Sequence, residues 1–345
     1  MSKTVVMVGL GATGVAMVQA LLQRSDVEFV GAADKNPAIV GMDVGIVAGQ
    51  AATGVQVVAN PADLPTADLA IVATTSDLDR VADTLVPLLE SSYNVMSICE
   101  ELAYPWSSHP DVAHRLDNIA MMNGVTVLGS GANPGVLMDT LPLLLSVLTQ
   151  RVSRVVIRRR TSMARYGAIL SKFGICLTPE EFVTAQASGT VVGHFGFEQA
   201  IGALACGLGW SLDSIEVGPV TPVLVSDIVR VGDHVTVEPG QIAAVTHAAR
   251  GMYNGQAVID VEIMFGFFDP SDPIAVGDDY RIEGVDQVLD LTSATGFESF
   301  LSTIAAAVNA ATAVVDARPG LLSMADLPVR ALASKGAFRR DEVTL

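Results

Sequence analysis

Two short segments hold residue types whose spacing could do chemistry. Gly9-Leu10-Gly11-Ala12-Thr13-Gly14 fits G-x-G-x-x-G, and Glu100-Glu101 sets two carboxylates side by side after the apolar run 94–99. The glycine segment follows a strand signal at 4–8 and opens a helix signal at 13–23, with Asp34 twenty positions after Gly14. In that context each glycine has a task. Gly9 permits a tight turn, Gly11 lets backbone amides approach a diphosphate, and Gly14 lets helix and strand pack closely. The N–H groups of Gly11, Ala12, Thr13 and Gly14 at the start of the helix then supply donors and positive partial charge. Asp34 would accept from adenosine ribose hydroxyls and repel a 2′-phosphate, whereas Lys35 beside it would attract one. The expected cofactor is NAD or NADP, with NAD favoured.

The carboxylate pair suggests proton work. If the chain is still extended at Glu100-Glu101, the two side chains point to opposite sides, so one can face a cofactor cleft. A carboxylate beside a nicotinamide would stabilise a developing cation and shuttle protons. Thr74 and Thr75 follow the fourth strand signal and Gly131 follows the sixth. Ligands of open α/β sheets sit at the carboxyl ends of strands, so these loops should lie along the cofactor's path.

These residues need a frame. Strand signals at 4–8, 27–33, 55–58, 69–73, 94–99 and 125–128 alternate with helix signals at 13–23, 77–90 (where Pro87 is expected to trim the end) and 110–122. Apolar strands without polar alternation suit a parallel sheet covered on both faces. The expected fold class is α/β, a Rossmann-type doubly wound parallel sheet over 1–132. At Asn133 an N-cap followed by Pro134 predicts a new helix. From there the texture becomes β-rich, with strands expected at 155–161, 189–196, 215–217, 234–238 and 258–268 and a helix at 197–207. This predicts an α+β substrate and dimerisation domain over 133–296. An Ala/Val-rich helix within 297–330 is expected to pack back on the first domain or across a subunit interface, and the charged tail 335–345 is expected to be loose.

Six arginines fall within 151–165, and strand alternation would put Arg159 and Thr161 on one face and Arg158 and Arg160 on the other. One of them could bind a substrate carboxylate; ion pairing at a subunit interface is the plainer use. His194, among glycines in an expected strand, is either a pocket residue or a satisfied core histidine. Phe195, Phe197 and Phe265 could shape an apolar pocket. The histidines lack metal-site spacing, so no metal is expected.

Composition excludes several alternatives. The 345 residues are 50% hydrophobic and 17% charged, below the roughly 25% charged of an average soluble chain, so global disorder is excluded. A net charge of −17 disfavours a nucleic-acid partner. No stretch reads as a membrane span, and the apolar run near the start is broken by Gly9, Gly11 and Gly14, unlike a signal peptide. Three scattered cysteines fit reduced thiols in a cytoplasm.

Several motifs then join. Cys99-Glu100-Glu101 with Tyr104-Pro105-Trp106, Gly131-Ala132-Asn133-Pro134-Gly135 with Met138-Asp139-Thr140-Leu141-Pro142, Gly193-His194-Phe195-Gly196-Phe197-Glu198, and Ala317-Arg318-Pro319-Gly320-Leu321 with Asp326-Leu327-Pro328 resemble the 2,4-diaminopentanoate dehydrogenase family. That family includes native amine dehydrogenases and is distantly related to dihydrodipicolinate reductase, whose own signature motifs are not visible here. The resemblance implies NAD(P)-dependent deamination of a primary amine, or reductive amination of a small ketone or aldehyde with ammonia, by a homodimer. It implies an essential acid/base Glu after the fifth strand, Glu101 in preference to Glu100, and places Asn133 in the pocket. The alternatives are a diaminopentanoate-type amino-acid dehydrogenase, an alcohol dehydrogenase or imine reductase on the same scaffold, and a dinucleotide sensor without turnover.

Overall fold

A computed structural model describes residues 2–167 and 169–328; the expected loose tail 335–345 lies outside the described residues. The chain divides into two compact units. One holds Met1–Val136 with the chain from Leu301 on, and the other holds Leu137–Phe300.

The first unit is built on β1 (Lys3–Val8), α1 (Ala12–Leu22), β2 (Val27–Ala33), α2 (Val44–Val47), β3 (Val57–Val58), β4 (Leu69–Val72), α3 (Leu78–Glu90), β5 (Asn94–Ser97), α4 (Pro110–Asn123) and β6 (Thr126–Gly129). All strands pair in parallel in the order β6-β5-β4-β1-β2-β3, and a further parallel strand, Gly320–Leu322, adds beside β6. This is the expected doubly wound sheet, with its switch point between β1 and β4. Val5, Val6, Met7, Leu69, Ala70, Ile71, Val72, Val95 and Met96 are wholly buried, which is why these strands read as unbroken apolar runs. Pro87 does not trim α3: it sits on the exposed face, where its missing N–H costs least. The long helix Ser299–Val315 contacts this unit from 301 on. Thr303 Oγ1 accepts from the Ala132 N–H at 3.1 Å, Lys3 pairs with Asp316 at 2.9 Å, and the Arg24 guanidinium donates to the Val308 carbonyl.

The second unit carries α5 (Thr140–Ser146), β7 (Arg154–Ser162), α6 (Leu170–Phe173), α7 (Pro179–Ala187), α8 (Phe197–Gly207), β8 (Ser214–Val217), β9 (Thr221–Val225), β10 (Arg230–Val231), β11 (Thr236–Val237), β12 (Ile242–Tyr253), β13 (Gln256–Gly266), β14 (Gly277–Glu283) and β15 (Val288–Ser293). Its main sheet runs β15-β14-β7-β13-β12-β8, with β9 also on β12; only β7 and β13 pair in parallel. An apolar core spans Val155, Ile157, Phe173, Phe197, Ile201, Leu204, Ile263 and Phe265.

Three further expectations are corrected here. The helix expected at Asn133 begins instead at Thr140, capped by Asp139. Gly131 and Gly135 take φ of +156° and +124°, outside helical space, so 130–139 is a run of turns. Residues 189–196 form a loop, because Gly189, Gly193 and Gly196 all take positive φ. The strand expected at 234–238 shrinks to β11. Five strands of this unit went unread (β9, β10, β12, β14 and β15), since charged and small residues interrupt their apolar rhythm.

Candidate active site

The glycine turn is built as its spacing requires. Gly9 takes φ +94°, and a Cβ there would lie 2.5 Å from the Ala73 carbonyl oxygen. A Cβ on Gly14 would lie 2.0 Å from the Gly9 carbonyl oxygen. The turn after β1, the start of α1 and the loop after β4 are therefore in direct backbone contact. Gly11 differs: a Cβ there would meet nothing within 4 Å. Gly11 is also the N-cap of α1, with no side-chain cap and no acidic residue in the first turn. Open space beside uncapped N–H groups suits the diphosphate of a dinucleotide.

Asp34 reaches back to this turn. Its Oδ2 accepts from the Leu10 N–H at 2.6 Å and its Oδ1 from the Asn36 N–H at 2.7 Å, so the carboxylate is fixed beside the glycine turn. Lys35 is exposed, as is Thr74, while Thr75 accepts from the Asp77 N–H at 3.3 Å.

The carboxylate pair is not extended. Glu100–Leu102 is a 3₁₀ turn, which corrects the opposite-sides expectation: β5 ends at Ser97, so the chain has left the sheet before it reaches Glu100. Glu101 Oε2 accepts from the Leu78 N–H, the first residue of α3, at 2.7 Å, and His109 Nε2 stands 3.8 Å from the same oxygen. The Cys99 thiol donates to the Ser76 carbonyl at 3.1 Å, and burial pushes its pKa up. The turn thus clamps onto the β4–α3 loop, whose other side touches Gly9. Gly9, Thr74, Thr75 and Glu101 gather at the carboxyl ends of three adjacent strands. Gly131 is buried and Asn133 half-buried in the turn after β6, on the next strand of the same edge.

The second unit holds Arg159, Thr161 and His194. Burial alternates along β7, with Arg159 and Thr161 on one face as expected, and that face is the inward one. The Arg159 side chain is fully buried and paired with Asp278, Nε to Oδ1 at 3.0 Å and Nη2 to Oδ2 at 3.2 Å, while Nη2 also donates to the Phe297 carbonyl at 2.8 Å. Thr161 Oγ1 shares a hydrogen bond with Ser299 Oγ at 3.2 Å. Tyr280, two residues along from Asp278, is buried on the same face; desolvation raises its pKa, and Arg159 opposes the rise. Three more arginines of the cluster pair within the chain, Arg154 and Arg158 with Asp260, Arg158 also with Glu262, and Arg160 with Asp279.

The His194 ring packs 4.9 Å from Phe197 and 5.7 Å from Phe265. Burial, with His247 and Arg159 nearby, drives its pKa down to about 3, so the ring is neutral. Phe195 departs from expectation: it turns outward, with Lys172 Nζ 5.2 Å over its ring. Sequence reading missed His109, Asp278, Tyr280 and His247. The alternation in Gly277–Glu283 was the one signal for two of them. Among the described residues no cluster has metal-ligating composition and no helix is long and apolar enough to cross a membrane.

A Rossmann-type sheet bearing a glycine turn and a carboxylate at one strand edge defines a dehydrogenase fold. The 2,4-diaminopentanoate dehydrogenase C-terminal domain matches residues 136–341. A 2,4-diaminopentanoate dehydrogenase of Acetoanaerobium sticklandii is 32% identical, covering 94% of this chain and 93% of that protein. The chain belongs to the 2,4-diaminopentanoate dehydrogenase family, and it is an oxidoreductase acting on CH–NH2 groups. The amine dehydrogenase of Mycobacterium smegmatis shares the fold, with TM-score 0.82 and 24% identity over 95% of this chain and 97% of that one. GenD2 from gentamicin A biosynthesis, solved with NAD, shares it more distantly, with TM-score 0.51 and 14% identity over 84% of this chain and 72% of that one.

Proposed function

We propose that this chain is a cytoplasmic, homodimeric NAD(P)-dependent amine dehydrogenase that interconverts small ketones or aldehydes plus ammonia with primary amines, with NAD favoured. The observation that carries the reading is the Glu101 carboxylate, held by the Leu78 N–H and gathered with Gly9, Thr74 and Thr75 at one strand edge. Gly11, Ala12, Thr13 and Gly14 would hold the diphosphate through backbone N–H groups, and Asp34 the adenosine ribose. A 2′-phosphate would meet the Asp34 charge, while Lys35 leaves NADP a weaker route. When bound, the nicotinamide supplies hydride for amination or accepts it for deamination.

Glu101 does the proton work. It takes a proton from ammonium, freeing the nitrogen lone pair to attack the carbonyl carbon. It returns that proton to the carbinolamine hydroxyl, which leaves as water, and its restored charge then faces the iminium. Overall, carbonyl, ammonium and reduced cofactor give amine, water and oxidised cofactor. Within the first unit Asn133 is read as a substrate residue, with Glu100 beside the acid/base; within the second unit Thr161 and His194 are read as substrate residues.

Small uncharged substrates are preferred over a diaminopentanoate-type amino acid because the Arg159 charge is already spent. Asp278 engages it in a wholly buried two-point pair, so Arg159 orients the pocket and does not neutralise an incoming carboxylate. A panel of ketones and aldehydes with ammonium, reading NADH and NADPH oxidation separately, tests this. Ammonium-dependent oxidation of NADH with simple ketones is expected. Turnover without ammonium would point to alcohol chemistry, and activity confined to carboxylated substrates would favour the amino-acid reading.

A further inference from the structure

His247 is not used by the reaction described above, yet both its ring nitrogens are engaged. It lies on β12 opposite Ile263 of β13 and is 3% exposed. Nδ1 accepts from the His194 backbone N–H at 2.9 Å, and Nε2 faces the Gly218 carbonyl oxygen at 2.9 Å. One partner is a donor and the other an acceptor. Only a neutral ring carrying its proton on Nε2 satisfies both.

The 191–196 loop is seated on this ring with no room to spare. Gly193 takes φ +74°, and a Cβ there would fall 2.5 Å from Nδ1 and 2.5 Å from Val220 Cγ2. On the other side, the Val192 and Gly193 N–H groups both donate to the Lys172 carbonyl at 2.9 Å. The loop is thus pinned at two points, at residues 192 and 193 and at His194 itself. Phe197 stands edge-on between the two imidazoles, 5.0 Å from His247 and 4.9 Å from His194. Anchored in this way, His194 keeps its Nε2 buried and without a hydrogen-bond partner.

We infer that His247 is a positioning residue: as a neutral ring it fixes the 191–196 loop, and through it His194, in the conformation that receives the carbonyl substrate. This rests on the reading of His194 as a pocket residue. Protonation of Nδ1 would set an N–H against the His194 N–H and release the loop. Burial opposes protonation of the ring, and the Gly218 carbonyl that it faces works the other way. His194 on the loop and Arg159 on β7, itself held by Asp278 of β14, are the titratable and charged neighbours of the cluster, while α8 presents Phe197 and the 218–220 segment presents Val220 and the Gly218 carbonyl. Burial lowers the His247 pKa, so the anchor holds at neutral pH and loosens on acidification.

The test compares His247→Phe, which removes the acceptor, with His247→Asn, which keeps an acceptor near Nδ1 but cannot titrate. In the Phe variant we expect the carbonyl KM to rise roughly ten- to a hundredfold, with the cofactor KM unchanged, and the His194 amide to exchange faster in hydrogen–deuterium exchange. The Asn variant should recover most of both. The wild-type carbonyl KM should climb as the medium is acidified, and that of the Asn variant should not. An unchanged carbonyl KM or an unchanged His194 exchange rate in the Phe variant overturns the inference. So does an acid rise in the Asn variant equal to the wild type's, and that comparison decides if the Phe variant does not fold. Absence of any ammonium-dependent turnover by the wild type sinks the amine dehydrogenase reading instead, and the exchange arm, which needs no substrate, then decides whether the anchor exists.

Discussion

The two units spend their carboxylates differently. In the dinucleotide unit the acids mostly accept from backbone N–H groups: Glu101 from Leu78, Asp34 from Leu10 and Asn36, Asp43 from Gly45 and Gly54, and Asp117 from Leu321. In the other unit several also hold guanidinium groups: Asp278 with Arg159, Asp260 with Arg158, and Asp272 with Arg230. A carboxylate held by an amide dipole keeps its whole charge and can trade a proton. One locked to arginine is compensated, and it organises structure instead. On the proposed reading, proton chemistry belongs to the first unit and shape to the second.

The largest expected effect falls on the first side of that contrast. Glu101→Gln keeps the size of the side chain and removes the base, so kcat should fall about 10²- to 10⁴-fold, with cofactor affinity by fluorescence titration unchanged. On the second side the penalty is in stability. Asp278→Asn leaves the Arg159 charge buried and uncompensated, which should cost about 3–5 kcal/mol in chemical denaturation. The double variant Arg159→Met with Asp278→Leu should lie much nearer the wild type. If the single and double variants are equally unstable, compensation is not what the pair supplies.

Smaller effects sharpen the same division. Gly14→Ala pushes a methyl group onto the Gly9 carbonyl and should cost about 1–3 kcal/mol, with cofactor affinity falling alongside. The smallest is a pH dependence. His194 is neutral in the folded state with a pKa near 3, against 6.5 when unfolded. Below about 6.5 the unfolded chain binds a proton that the folded chain refuses. Stability is thus fully present above that pH and is lost as pH falls, by at most one proton's worth of slope. His194→Phe should flatten that part of the curve.

The same contrast explains what the sequence disclosed. The glycine turn, Asp34 at the end of β2 and the carboxylates after β5 are local patterns, in which a backbone N–H is always at hand to serve as partner. Their positions along the chain were enough to place them on one strand edge, and alternation alone put Arg159 on the same face of β7 as Thr161, though not which face is buried. The partner of Arg159 was beyond reach, because Asp278 is 119 residues away and meets it only through the β7–β14 register. His247 was hidden for the same reason, on a strand whose Ala- and Gly-rich stretch lacks apolar rhythm. The turns at 130–139 misled because Asn-Pro at a helix start and Asn-Pro inside a turn look alike until the flanking glycines take positive φ.

The proposed role of Glu101, held by a backbone N–H, is to convert ammonium and a carbonyl into an amine at a nicotinamide site. It is tested most directly by measuring NADH oxidation with a simple ketone over a series of ammonium concentrations, for wild type and Glu101→Gln side by side. Saturable, ammonium-dependent oxidation by the wild type and near-complete loss in the variant at unchanged NADH affinity are expected. Equal rates in the two proteins, or wild-type oxidation indifferent to ammonium, would contradict it.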